Sequence, residues 1–133
     1  MTTVLLKTVD QVPGRGNFDG PTLSFEIGQV SARTIVRARV IEEVGRHNSD
    51  DAPPVYVGLI VPVPQEAALN APRRQRRQLL DAERQVDVAL AAVKAGRVII
   101  LFNGEQVSDL DALLLVTPVS EARFLRLVPL AGG

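Results

Sequence analysis

Cysteine is absent from the 133 residues, which removes disulfides, thiolate zinc sites and a cysteine nucleophile together and leaves no hint of an oxidising compartment. Net charge is absent too. Fifteen basic and fifteen acidic residues cancel, a poor balance for a protein that works by neutralising phosphates or coating an anionic membrane. No run approaches the roughly 18 apolar residues of a membrane span. The opening MTTVLLKTVD carries one lysine and too short an apolar stretch for a signal peptide. A soluble, cytoplasmic protein is the expectation, with neither nucleic acid nor membrane as partner. Lysine is scarce, since thirteen of the fifteen basic residues are arginine and only Lys7 and Lys94 remain. The single histidine, His47, stands near Asp50 and Asp51. One imidazole and two adjacent acids do not make a metal site, which draws three or four ligands from separate elements.

What is present is apolar. At 46% hydrophobic, the chain suits one domain with a real core. Residues 2–9 are β-branched and apolar, followed at 10–21 by a region crowded with Pro13, Gly14, Gly16, Gly20 and Pro21 that reads as a turn. Over 22–28, Leu23, Phe25 and Ile27 alternate with Thr22, Ser24 and Glu26, so the first two strands form a long-looped hairpin. Residues 31–48 are ambiguous. Val36, Ala38 and Val40 alternate with arginines as in a strand, whereas Val36, Val40 and Val44 recur every four residues as in a helix; Ser31 as a possible N-cap and Gly45 near the end tilt the reading to helix.

Residues 55–63 read as a short extended segment. Pro72 opens a helix predicted over about 72–95, with Leu79, Ala82, Val86, Ala89, Leu90 and Val93 in one stripe and Gly96 as terminator. Residues 97–107 form a buried strand running into an Asn103–Gly104 hairpin turn. Residues 109–116 suggest a short helical turn, and EARFLRLVPL is the last strand. A first and a last strand lie parallel and adjacent only if a helix carries the chain across the sheet, and this order supplies one. The fold class expected is α+β, with a mixed sheet, a crossover helix and an inserted second helix.

VLLKTV, TLSFEIG, a helix, VIILFNGEQVSDLD and finally FLRLVPLAGG, in that order, resemble the ubiquitin-like β-grasp family. The ending also resembles the bacterial sulfur-carrier proteins of molybdopterin and thiamin synthesis. The resemblance covers residues 1–48 and 97–133, with 49–96 as an insertion inside a single domain. It implies a bacterial protein modifier, a substrate and not itself an enzyme, whose terminal carboxylate is adenylated by an E1-like adenylyltransferase and joined to a target amine by an isopeptide bond. The ATP belongs to that enzyme, and no cofactor of the chain's own is implied. An E2-like enzyme and a JAB-type deconjugating peptidase are further implied partners, besides the protein targets.

On this reading Gly133 is the acyl donor and Gly132 its unhindered approach, because a Cβ on either would obstruct threading and attack. Leu127, Pro129, Leu130 and Ala131 form the recognised tail, and Pro129, lacking an N–H, suits the point where the strand leaves the sheet. Two alternatives stand beside it: a sulfur carrier that ends in a thiocarboxylate, and a noncovalent β-grasp assembly or scaffold module whose tail is incidental.

Arg73, Arg74, Arg76 and Arg77 fall in the first turns of the predicted second helix, where the macrodipole disfavours cations. They are a candidate docking surface for an acidic partner, or a solvated face near Asp50 and Asp51. The shortage of lysine leaves a modifier few amines of its own to modify, since arginine keeps its charge without offering a nucleophile. GRGNFDG lacks the Lys-Ser/Thr pair and following helix of a phosphate loop, and reads as a turn.

Overall fold

The computed structural model describes residues 3–26, 28–49 and 80–127. The β-branched opening forms strand β1 (Val4–Val12), which continues well beyond residue 9. The region 10–21 is therefore not one turn. Only residues 13–15 turn, and Gly16–Asp19 returns as β2, antiparallel to the second half of β1. The glycines and prolines read as loop throughout, but the open edge of β1 offers ladder partners that outweigh the poor strand propensity of GNFD. Strand β3 (Leu23–Phe25) then pairs with the first half of the same strand and buries Leu23 and Phe25, with Ser24 outside, in the alternation expected. Ile27 lies outside the described residues.

A short strand β4 (Gln29–Ser31) leads into helix α1 (Ala32–Asn48). The ambiguous segment is helical, and Ser31 caps it by accepting the Thr34 N–H at 3.1 Å. Its buried side chains, Ala32, Ile35, Val36, Arg39, Val40, Glu43 and Val44, recur at three- and four-residue steps along one face. Helix α2 (Ala82–Lys94) begins later than predicted. Leu80 and Asp81 are not helical, and Asp81 caps the helix by accepting the Glu83 N–H at 3.1 Å. The predicted stretch 72–79, like the extended segment 55–63, lies outside the described residues. Val86 and Ala89 of α2 join the core, and Leu90 and Val93 pack against it.

Strands β5 (Val98–Phe102) and β6 (Glu105–Val107) form the expected hairpin. Asn103 and Gly104 both have positive φ, 51° and 88°, the type I′ geometry that fits strand twist. Residues 109–116 are not a helical turn as read. After a turn at 110–111, Leu113–Leu115 is strand β7, antiparallel to β4. An alternation invisible in three consecutive leucines is imposed by that pairing, which leaves Leu113 and Leu115 exposed while Leu114 packs on the core.

Strand β8 (Glu121–Arg126) is central, parallel to β1 on one side and antiparallel to β5 on the other, in the order β2-β1-β8-β5-β6 with β3 also on β1. The result is an α+β fold whose mixed sheet has one parallel pair. None of the described helices is long and apolar enough to cross a membrane.

One face of this sheet is the core. In register across it stand Asp10, Phe124 and Ile100, then Thr8, Ala122 and Phe102, all buried. Arg39 is fully buried above the first of these rows. Its Nη2 lies 2.5 Å from Asp10 Oδ2, its Nε 3.4 Å from Glu43 Oε1, and its guanidinium carbon 4.6 Å from the centre of the Phe124 ring. One cation from α1 therefore grips both strands of the parallel pair, by an ion pair on β1 and a cation–π contact on β8. Gly20 lets the link between β2 and β3 close over this group, since a Cβ there would sit 2.5 Å from Thr8 Oγ1.

At the far end of α1, the Asn48 amide makes two hydrogen bonds to the backbone of Leu80: Leu80 N–H to Oδ1 at 2.9 Å and Nδ2–H to the Leu80 carbonyl at 3.2 Å. This clasp ties the exit from α1 to the approach to α2.

Arg39→Ala strands the Asp10 carboxylate in the core, and denaturant unfolding is expected to show a loss of about 3–5 kcal/mol, whereas Asp10→Leu combined with Arg39→Met costs much less. Asn48→Ala opens the clasp and is expected to cost about 1–2 kcal/mol in the same measurement.

Candidate functional site

The sequence directs attention to the end of the last strand. β8 keeps hydrogen-bonded neighbours on both sides as far as the ladder runs: Leu125 stands opposite Gln11 of β1 and Arg126 opposite Val98 of β5. One further bond, Leu127 N–H to the Arg97 carbonyl at 2.9 Å, closes the pairing. Leu127 is 41% exposed and is the last described residue. Because β8 is an interior strand, its exit point is held from both sides by the sheet itself. Of the residues predicted for the site, Leu127 is the one described, directly after the end of β8. Pro129, Leu130, Ala131, Gly132 and Gly133 lie outside the described residues, as do Arg73, Arg74, Arg76 and Arg77.

Three short segments surround the exit. The β1–β2 turn brings Arg15, whose N–H donates to the Val12 carbonyl at 2.9 Å. The start of β5 brings Arg97, directly opposite Leu127, and β8 itself brings Arg126. On the β5 side the surface opens into a cleft of about 430 Å³ between the end of α2, the β5–β6 hairpin and the loop after β6. Val93, Val98, Val107 and Leu110 supply its apolar wall, and Lys94 and Asp111 stand among its polar residues. Its volume falls within the range of small-molecule and side-chain pockets.

Arg33 also lines the cleft. Its Nε lies 2.9 Å and its Nη2 3.4 Å from the two Asp111 oxygens. That hydrogen bond, reinforced by the opposite charge, holds the Asp111 carboxyl below its usual range and raises the Arg33 guanidinium. A second forked pair, Arg37 with Glu83, joins α1 to α2, with Nη1 at 2.9 Å from Oε2. The hydrogen bond from Arg37 lowers the Glu83 carboxyl in the same way. The Arg33–Asp111 pair is closed upon itself, whereas the three arginines at the strand exit have no such partner among the described residues.

The sequence did not single out Arg15, Arg97 or Arg126, which are 29 or more positions apart in every pairing and come to one end of the sheet only through the strand order. Nor did it single out Arg39, although a signal existed: extending the Val36, Val40, Val44 repeat by helical steps lands on Arg39 and Glu43, an i,i+4 pair of opposite charge. Lys7 and Lys94, the two lysines, are both exposed, one on β1 and one at the end of α2, as the sequence placed them.

No family model, no curated protein and no solved structure matches the chain.

A carboxylate held below its unfolded pKa contributes stability above that pKa and loses it as the pH falls through the folded value. Glu83 and Asp111 both have the depressed sign. Thermal melts are therefore expected to show a small stability gap between the parent protein and Arg33→Gln or Arg37→Gln at neutral pH. The gap should close as the pH drops below the ordinary carboxylate range.

Proposed function

We propose that this protein is a ubiquitin-like modifier with a β-grasp fold, whose C-terminal glycine carboxylate is activated by an E1-like adenylyltransferase and conjugated to a target amine. The observation that carries the reading is the interior, doubly paired position of β8, parallel to the first strand, so that the strand reaches Leu127 held by a neighbour on each side. The hairpins on either side of the β1–β8 pair, with α1 between the opening strands and β5, support the β-grasp assignment.

The chemistry asks little of the chain beyond presentation. A tail oxygen of Gly133 would attack the α-phosphorus of ATP and expel pyrophosphate. A thiolate of the activating enzyme would then attack the acyl carbon and release AMP, and an amine would displace the thiolate. The six residues after Leu127 give a reach of at most roughly 20 Å, enough to enter a partner's cleft while the sheet stays outside. Glycine at 132 and 133 keeps the acyl carbon open to in-line attack, and a scaffold that does not shift at Leu127 lowers the entropy of placing it.

The test is incubation of the full chain with the E1-like enzyme encoded nearest to it and ATP. A thioester sensitive to thiol reductants is expected. Gly132→Val should slow its formation roughly 100-fold, the scale of an ångström-level misplacement, and deletion of Gly132 and Gly133 should abolish it. A tail recovered with sulfur in place of one carboxylate oxygen would identify a carrier instead. If the deletion leaves both the adducts formed in the host and the biological activity unchanged, the activated tail is wrong.

A further inference from the structure

Nine arginines stand among the described residues, and five of them, Arg33, Arg37, Arg39, Arg46 and Arg123, have a carboxylate partner. Arg15, Arg84, Arg97 and Arg126 have none among the described residues. Three of these four meet at one end of the sheet. Arg126 closes β8, Arg97 lies beside Leu127 across the last backbone hydrogen bond, and Arg15 sits in the turn that ends β1, the other neighbour of β8. Three adjacent strands are about 10 Å across from first to third, so the three arginines stand at the same end of the sheet, with Arg126 on the core face beside Val98 and Arg97 on the opposite face beside Leu127. The segments that carry them, residues 12–16, 94–98 and 125–127, contain no acidic residue and add a fourth cation, Lys94.

We propose that Arg15, Arg97 and Arg126 form a cationic collar that docks an acidic protein surface. The neutral total charge of the chain makes the collar a local feature, able to orient an encounter without attracting polyanions over the whole surface. The guanidinium fork matches carboxylates two oxygens at a time, which a surface of Asp and Glu supplies. Nucleic acid is the poorer fit. Stable phosphate-driven binding draws on roughly six to ten contacts, and the three segments hold no aromatic side chain for bases to stack on. Leu127, exposed at the same end, adds an apolar point of contact. The collar stands independently of the tail chemistry. If the tail is activated, the partner seated on the collar is the one that receives it.

The test uses the full-length chain with Arg73→Gln, Arg74→Gln, Arg76→Gln and Arg77→Gln as background, so that the other basic run does not compete, and poly-L-glutamate as probe. Amide shifts in two-dimensional NMR are expected at residues 12–16, 95–98 and 125–127, weakening with added salt. Adding Arg15→Gln, Arg97→Gln and Arg126→Gln is expected to weaken binding about tenfold, and the matching lysine set to retain most of it. Arg15→Gln with Arg97→Gln, both on exposed residues, serves as a second variant should the half-buried Arg126 prove necessary for folding, with a loss of about threefold expected. Shifts mapping elsewhere, unchanged affinity in the folded variants, or tighter binding of duplex DNA or inorganic polyphosphate at equal charge would overturn the proposal. Gly132→Ala with Gly133→Ala leaves this affinity unchanged on the collar reading, so failure of the activated tail and failure of the collar are separately visible.

Discussion

Arg39 is the constraint on which the rest of the molecule depends. A guanidinium with no exposure sits over a parallel strand pair, bonded to Asp10 of one strand and stacked on Phe124 of the other. Two unpaired strands meeting in parallel have no turn to set their register, and a one-residue slip would put the wrong side chains in the core. Here a slip would separate Arg39 from either its counter-ion or its ring. Among the described residues, Asp10 Oδ1 and Arg39 Nε and Nη1 make no hydrogen bond, so the group is held by charge at close range more than by full hydrogen-bond satisfaction. Such an arrangement is weak as a source of net stability and strong as a penalty on alternatives. We regard register specification as its role.

That grip bears directly on the functional end of the protein. β1 and β8 run side by side toward the same edge, so fixing their register also fixes where Leu127 emerges and how Arg15 stands beside Arg126. The α1 helix sits over this pair through Arg39, and α2 is tied to α1 by Arg37–Glu83 and by the Asn48 clasp. The helical layer is thus a single tether behind the exit. The arginines that join elements, Arg33, Arg37 and Arg39, each have a carboxylate partner, whereas those around the exit have none among the described residues.

The elements that were legible share a local cause. The Asn103–Gly104 turn, the Ser31 cap and the alternation of Leu23 with Phe25 each depend on residues within a few positions of one another. Those that were misread depend on distant partners. GNFD has no strand pattern of its own and becomes β2 because β1 has an open edge beside it. Leu113–Leu115 shows no period, and its division into two exposed leucines and one inward one comes from pairing with β4. Arg37 and Arg39 look alike in the sequence, yet one is exposed on a link to α2 and the other is fully buried, since two positions along a helix turn a side chain to the other side.

By itself the sequence determined the first and last strands, the two helices, the β5–β6 hairpin and the need for a crossover between the first and last strands, because periodicity, capping and turn chemistry act over short spans of chain. Only the tertiary structure decided which face Arg39 occupies and that β8 is an interior strand. It alone brought Arg15, Arg97 and Arg126 around one exit. Those facts belong to strand order and register, where residues far apart in the chain become neighbours through backbone hydrogen bonds that are the same whatever the side chains are.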